Sequence, residues 1–266
     1  MAFLFFTNSQ QFNGLQSDSV FKSPLVVALL AIAIATFISF FHLGHPVHAF
    51  HSVNNLGTSW LSREILGIGL FGFGVLVLFV LFLLKVQNQT MLQILLVYCS
   101  IAGLVLIYFM SRIYLVPTIP AWFTRFTPFH FYLATFLLGG MVLTGFLFAQ
   151  PDAGETIKGL LRIVALALLL QLVAAFLYKN HMVKMEHTGI AHPDFQAGLY
   201  HTLYLIRLFV IFVSVLFTAY LSLRTHLIEV NYNAIIRFYA FMCFLIITEE
   251  VIGRFMFYAG YYRVGV

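Results

Sequence analysis

Long runs of apolar residues alternate with short polar connections along most of the chain. A helix that crosses the hydrocarbon core of a membrane needs about 20 mostly apolar residues, because its backbone groups must be satisfied within the segment. Seven stretches meet this requirement, at approximately residues 24 to 41, 66 to 84, 91 to 110, 131 to 149, 160 to 178, 202 to 222 and 234 to 258. The pattern predicts an all-α, polytopic bundle of transmembrane helices that follows a polar N-terminal stub, residues 1–23.

Composition agrees with lipid as the main solvent of the chain. Of its 266 residues, 62% are hydrophobic and only 9% are charged, which is more apolar surface than a water-soluble core can hide. The 14 lysines and arginines are scattered rather than clustered, so nucleic-acid binding is a poor interpretation. No linker separates a soluble domain, and we predict one integral membrane domain over residues 1–266.

The chain has few residues that could hold a redox cofactor. Cys99 and Cys243 are its two cysteines, and both lie inside apolar runs, where a buried small side chain is expected rather than a metal ligand. An iron–sulfur cluster takes roughly four thiolates. A haem needs axial ligands from facing helix interiors, and the predicted spans have no mid-membrane histidine. We therefore expect neither cofactor on this chain itself.

Potentially reactive residues gather on one predicted face of the membrane. If the spans alternate in direction, the long connections 42–65, 111–130 and 179–201 and the C-terminus share a face, which we call side 1. Nine of the ten histidines fall on side 1. The opposite face has short loops with several basic residues, and the positive-inside rule favours it as cytoplasmic.

Two titratable residues mark neighbouring span ends in the segment FHLGHPVHAFHSVNNLGTSWLSRE, residues 41–64. The chain leaves one span at His42 and approaches the next at Glu64. Quinol oxidation releases two protons with two electrons, so its site needs hydrogen-bond partners for the ring hydroxyls and a proton acceptor. A histidine and a carboxylate supply both. The alternative is that the two residues only cap helix ends at the interface.

Three further charged residues are expected on the same face. Arg112 closes the third span, and Glu250 and Arg254 lie near the end of the last span, in TEEVIGRF. Ionisable residues inside a bilayer are costly and mark functional or paired sites, so their convergence with His42 and Glu64 suggests a shared pocket. Glu250 and Arg254 are four residues apart on one helix face. They could therefore form a supporting ion pair in which each charge only neutralises the other.

Three histidines, His45, His48 and His51, recur at every third position. On a short loop helix they could lie on one side and imitate a metal site. Matching carboxylates or cysteines are missing from the segment, so we expect no metal there.

The stretch YLVPTIPAWFTRFTP, residues 114–128, contains three prolines. Proline restricts the backbone and interrupts regular structure. We therefore predict a stiff, extended surface loop, which could serve as a docking surface for an extramembrane partner.

At these residues the sequence resembles the membrane anchor subunits of dimethyl sulfoxide reductase, the DmsC family, within the wider group of polysulfide-reductase-like anchors. The resembling pieces are HLGHPVHAFHSVNNLGTSWLSREI at 42–65, RIYLVPTIPAWFTRFTP at 112–128 and EVIGRFMFY at 250–258. They occur in the family's order across most of the chain.

The resemblance implies an eight-helix bundle in the bacterial inner membrane that binds menaquinol near the outer leaflet. It further implies that electrons pass to an iron–sulfur subunit and on to a molybdopterin catalytic subunit, and that no haem takes part. His42 matches the family histidine associated with menaquinol, and Glu64 matches a carboxylate implicated at the same site. Arg112, Glu250 and Arg254 also match family positions.

The sequence departs from the family pattern at its beginning. The family has a helix before the span at 24 to 41, whereas here only the stub MAFLFF could be the tail of such a helix. We therefore expect that the sequence is truncated or was assigned a late start codon.

Two other functions fit some of the same observations. A purely structural anchor would keep its complex assembled and electron flow intact after substitution of His42 or Glu64. A small-solute transporter would have broken helices or midplane charges in opposed repeats, and the sequence indicates neither. The favoured hypothesis is an electron-transfer subunit that oxidises quinol and catalyses little without its partner.

Overall fold

A computed structural model describes residues 18–40, 54–86, 88–149, 153–186, 198–223 and 232–261 of the chain. Within these ranges the chain forms seven helices and no strands, which confirms the predicted all-α fold. The helices are α1 (Asp18–Phe40), α2 (Trp60–Leu83), α3 (Gln89–Ile113), α4 (Phe126–Leu147), α5 (Gly154–Glu186), α6 (Gly198–Leu223) and α7 (Tyr232–Ala259).

Six of these helices, α1 to α6, are long and apolar enough to cross a membrane. The chain is therefore a multi-pass membrane protein. Helix α7 has 28 residues and forms over the seventh predicted span, but it is not among the six that qualify by length and composition. It carries four charged residues, Arg237, Glu249, Glu250 and Arg254.

The helices belong to two compact units, Met1–Ile113 and Tyr114–Val266. The single membrane domain expected over residues 1–266 stays a prediction.

The first unit is built by α1 packing on α2 and by α2 packing on α3. Its apolar core contains Val75, Leu78, Leu92 and Cys99. Polar side chains fix where the helices begin: Ser59 accepts a hydrogen bond from the backbone N–H of Ser62 before α2, and Asn88 accepts one from Met91 at the start of α3. Such caps satisfy the first N–H groups of a helix, which have no partner within it.

The second unit is a ring of four helices. Helix α4 packs on α5, α5 on α6, α6 on α7, and α7 returns to α4. Buried apolar side chains such as Leu137, Ile211 and Met242 fill much of its interior. The buried hydroxyls of Thr144 and Thr218 donate to carbonyls one turn earlier on their own helices. They therefore need no partner from a neighbouring helix.

The proline-rich connection at the start of the second unit corrects one prediction. It does not run as an extended surface loop over its whole length, because Ile119 and Ala121 are buried and backbone hydrogen bonds form successive turns through it. The Trp122 indole N–H donates to the carbonyl of Phe257 at 2.8 Å. That carbonyl belongs to the last turn of α7, where helix carbonyls lack partners. The connection thus caps α7 rather than standing free.

Candidate functional site

The first candidate site lies at the beginning of α2, where Trp60, Arg63 and Glu64 occupy the first two turns. The Arg63 guanidinium donates to the carbonyls of Leu56 and Gly57 at 2.7 and 2.8 Å. Its Cζ atom lies 4.1 Å from the centroid of the Trp60 ring. These contacts hold the indole and the preceding turn in one arrangement. Glu64 lies one helical turn beyond Trp60, so both project from the same side of α2.

Arg112 brings the end of α3 to the same group. Its Cζ atom lies 4.7 Å from the Trp60 centroid and 6.0 Å from that of Tyr108. The rings of Trp60 and Tyr108 meet edge to face, with centroids 5.9 Å apart. The Arg112 Nε atom is buried and has no hydrogen-bond partner among the described residues. A buried donor without an acceptor costs about 1–3 kcal/mol, so this position favours a ligand or chain segment with an acceptor.

The first site therefore offers three chemical functions close together. The half-buried Glu64 carboxyl can accept a proton, the Arg112 guanidinium can donate a hydrogen bond, and the Trp60 and Tyr108 rings form an aromatic wall. The predicted partner His42 lies outside the described residues, as do His45, His48 and His51. The structure brings Arg112 against Trp60, one helical turn before Glu64.

The second candidate site is inside the second unit and is organised by Gln171 of α5. This residue is 1% exposed, and its Nε2 atom donates to Glu249 Oε1 at 2.9 Å and to Glu250 Oε1 at 2.8 Å. Both carboxylates lie on α7, and they are 0% and 8% exposed. One amide group thus ties two buried carboxylates to the opposite side of the bundle.

Arg207 of α6 supplies a charged partner for this group. Its Nε atom lies 3.4 Å from Glu249 Oε2. Gly253 makes this approach possible, because a Cβ atom at position 253 would lie 2.6 Å from the guanidinium carbon of Arg207. A side chain at position 253 would therefore force the guanidinium end of Arg207 to move.

The predicted ion pair of Glu250 and Arg254 takes a different form. Both residues line the cavity described below, but within the described residues they make no direct ion pair. Glu250 accepts a hydrogen bond from Gln171, and the Arg254 guanidinium carbon lies 4.3 Å from the centroid of Phe131 on α4. Glu250 and Arg254 thus each contact a residue of another helix instead of each other.

A cavity of about 60 Å³ lies beside these groups. Aromatic side chains line much of it, and its polar lining comes from all four helices of the second unit. The polar residues are Thr127, His130, Gln171, Tyr178, Tyr200, Tyr204, Arg207, Glu250 and Arg254. Two lining atoms, His130 Nδ1 and Gln171 Oε1, are buried without a hydrogen-bond partner among the described residues.

Sequence reasoning missed the residues that organise this second site. Gln171 interrupts an apolar run, LALLLQLVAAF, and Arg207 interrupts another, YLIRLFV. A polar side chain in such a run is the signal that could have identified each one, because it needs a partner inside the bundle. Which partner it finds cannot be deduced from spacing along one helix.

Metal binding finds no support among the described residues, where no cluster of three histidine, cysteine, aspartate or glutamate side chains could hold an ion. The triplet at His45, His48 and His51 lies outside those residues, so the expectation of no metal there stays a prediction.

Comparison with known proteins gives one consistent relationship over the whole chain. The family model of the DMSO reductase anchor subunit, DmsC, matches residues 1–260. The C subunit of the anaerobic dimethyl sulfoxide reductase of Escherichia coli is 26% identical over 234 residues, covering 86% of this chain and 77% of that protein. The corresponding C subunit of Haemophilus influenzae is 24% identical over 252 residues, covering 94% and 85%.

A shorter match extends the comparison. The YnfH subunit of an anaerobic dimethyl sulfoxide reductase of Escherichia coli is 33% identical over 115 residues, which cover 43% of this chain and 40% of that protein. No solved structure matches the chain significantly. The family model spans nearly the whole chain, and the chain therefore belongs to the family of DMSO reductase anchor subunits.

Proposed function

We propose that this anchor subunit oxidises menaquinol at the first site and passes the electrons to an iron–sulfur subunit of a dimethyl sulfoxide reductase complex. That partner delivers them to a molybdopterin catalytic subunit, where the terminal acceptor is reduced. The chain lies in the inner membrane of a bacterial cell, since its substrate is a membrane-soluble quinol.

The observation that carries the proposal is the Arg112 guanidinium stacked over Trp60 on the helix turn that leads to Glu64. Its buried Nε–H has no acceptor among the described residues, and a quinol oxygen would provide one. The indole and Tyr108 rings supply the apolar faces on which an aromatic head group packs. Glu64 has no hydrogen-bond partner among the described residues, so its carboxyl is available to a ligand hydroxyl.

Oxidation of one quinol to quinone removes two electrons and two protons. Glu64 accepts a proton from one ring hydroxyl, and His42, which the resemblance assigns to the same site, accepts the other. The two electrons leave for the iron–sulfur partner. Arg112 holds the ring oxygen by a charge-assisted hydrogen bond, which is about twice as strong as a neutral one.

The electron acceptor must lie on another subunit. The chain has two cysteines, and an iron–sulfur cluster takes roughly four thiolates. Cys99 belongs to α3 and Cys243 to α7, so neither is part of a thiolate set. The chemistry of this chain ends when the electrons leave the quinol.

The cavity of the second unit is a poorer place for the quinol ring. An apolar protein cavity that binds benzene has about 150 Å³, whereas this cavity has about 60 Å³. A quinol head group is larger than benzene, so binding there would require the four helices to separate.

The proposal is tested with Glu64→Gln in the assembled complex in membranes. We expect menaquinol-dependent reduction of the terminal acceptor to fall about 100-fold, since a lost proton acceptor typically costs 10²–10⁴ in rate. Reduction driven by a soluble dye that feeds the catalytic subunit directly should be unchanged. Dye activity retained in the membrane fraction shows that the catalytic subunit is active and attached to the membrane.

The matched control is Glu155→Gln, which removes an exposed carboxylate that pairs with Lys158 and should leave both reactions unchanged. If Glu64→Gln keeps the wild-type quinol rate in an assembled complex, the chain is a structural anchor and the proposal is wrong.

A further inference from the structure

We propose that the second unit holds a hydrated proton-binding site, in which Glu249 and Glu250 share one exchangeable proton and water in the cavity connects Glu250, which lines it, to His130. The site does not depend on the quinol chemistry of the first unit. Its ligands are water and a proton.

The two carboxylates are close enough to compete for ionisation. Both accept a hydrogen bond from the same atom, Gln171 Nε2, at 2.9 and 2.8 Å. Their accepting oxygens are therefore within about 6 Å of each other, a separation at which two buried like charges repel strongly. A proton held between them relieves this repulsion, and it belongs to the pair rather than to one residue.

The surrounding charges distinguish the two carboxylates. Arg207 lies against Glu249 and favours its ionised form. Arg254 lines the same cavity, but its guanidinium packs on Phe131 and does not pair with Glu250. From α5, Lys179 lies over the Tyr204 ring, with its Nζ 5.0 Å from the centroid. Glu250 is thus left with the neutral Gln171 amide as its donor among the described residues.

Two buried atoms on the cavity wall favour water. Gln171 Oε1 and His130 Nδ1 have no hydrogen-bond partner among the described residues, and each such atom costs about 1–3 kcal/mol if it stays unsatisfied. A water molecule needs roughly 10–15 Å³ of such space and two to four polar partners. The cavity of about 60 Å³ accommodates a small cluster of waters.

Tyrosine side chains also line the cavity. Tyr178 donates to the carbonyl of Ala121 at 3.1 Å, and Tyr200 donates to that of Met256 at 3.0 Å. Both hydroxyl protons are thus directed to backbone carbonyls, so in any hydrogen bond between these groups and cavity water the water would be the donor.

The location suits proton transfer within a membrane. Glu250 lies nine residues before Ala259, the last residue of α7, which is about 14 Å along a helix axis. His130 lies in the second turn of α4, near the helix end. The cavity therefore extends between the carboxylate of Glu250, further from the helix ends, and the imidazole of His130, nearer to them, and ionisable groups at such depth are typical of proton relays.

Infrared difference spectroscopy on the assembled complex in lipid tests this inference. We expect wild type to show the band of a protonated carboxyl group that shifts when H₂O is replaced by D₂O. Glu249→Gln or Glu250→Gln should abolish the band, whereas the exposed control Glu155→Gln should keep it. Absence of the band in wild type, or a band that survives both substitutions, would overturn the proton-sharing pair.

A second variant tests the connection through water between the carboxylates and His130. It also provides a test of the inference if the glutamine variants do not assemble. His130→Phe keeps an aromatic ring against Tyr178, whose ring lies 6.4 Å away, centroid to centroid. It removes both ring nitrogens, including Nδ1, which is buried without a hydrogen-bond partner among the described residues. We expect the D₂O shift of the carboxyl band to become at least about tenfold slower, because a positioned proton carrier is lost. An unchanged exchange rate would refute the role of His130.

Discussion

Arg207 and Glu249 form an ion pair in a part of the molecule where neither charge has good access to water. The glutamate side chain is 0% exposed and that of the arginine 12%. A pair of this kind contributes little net stability when compared with apolar residues, but removing one partner leaves a buried charge without compensation. The interior of the second unit therefore depends on both members.

We predict that Arg207→Met destabilises the protein by about 3–5 kcal/mol at neutral pH. The loss should shrink as the pH is lowered, because a protonated Glu249 is uncharged and no longer needs a counter-ion. Denaturant titrations in mixed micelles at several pH values would measure both effects.

The control is Lys158→Met, which breaks the exposed pair with Glu155, at 3.1 Å. An exposed pair is worth about 0–1 kcal/mol. Equal losses for the two substitutions would contradict the account of a buried, uncompensated carboxylate.

At the same scale, the sequence pointed to some residues of the two candidate sites and not to others. Glu64 and Arg112 could be singled out because each carries a charge at the edge of an apolar run. The hydrogen bond from Gln171 to Glu249 joins residues 78 positions apart in the chain, and the bond from Arg207 to Glu249 joins residues 42 positions apart. Spacing on a single helix identifies only neighbours three or four residues away, so the Glu250–Arg254 pair looked plausible and the actual partners did not.

The sequence predicted that these helices exist, but it predicted less accurately where each helix begins and ends. The spans expected at 66 to 84 and 131 to 149 begin five or six residues earlier in the structure, at Trp60 and Phe126. Helix α5 extends beyond the expected 160 to 178 at both ends, over Gly154–Glu186. Hydropathy identifies the stretch that needs lipid, whereas a helix continues into polar residues as long as its backbone bonds are satisfied.

Close packing of α2 on α3 provides a test at the level of elements. A Cβ atom at Gly74 would lie 2.7 Å from Tyr98 Cε1 and 2.8 Å from Cys99 Sγ. The Tyr98 ring cannot easily move aside, because its hydroxyl donates to the carbonyl of Leu70 at 3.1 Å. Small residues at such positions allow membrane helices to approach each other.

We predict that Gly74→Ala lowers the free energy of unfolding by about 1–3 kcal/mol through overpacking. Gly69→Ala on the same helix is the matched control, since no atom lies within 4 Å of a Cβ at that position. Thermal unfolding of the two variants in one detergent compares them directly. A stability of Gly74→Ala equal to that of Gly69→Ala would mean that the two helices are less closely packed than described.

For the whole molecule, hydropathy alone was enough to predict the fold class, because a bilayer allows few solutions for a chain this apolar. Large apolar side chains such as Phe73, Phe209 and Phe244 are more than half exposed, as expected for helices that face lipid. The division into two units and the polar interior of the second were not predictable, since both depend on which helices pack together. Membership of the anchor-subunit family agrees with this architecture.

The central claim is that quinol binds in the first unit, and photolabelling with a photoreactive menaquinone analogue tests it most directly. In the assembled complex we predict labelling near Trp60 and Glu64 or near Tyr108 and Arg112, which excess menaquinol should suppress. Labelling that menaquinol does not suppress, or that falls on residues such as His130 in the second unit, would contradict the proposed site.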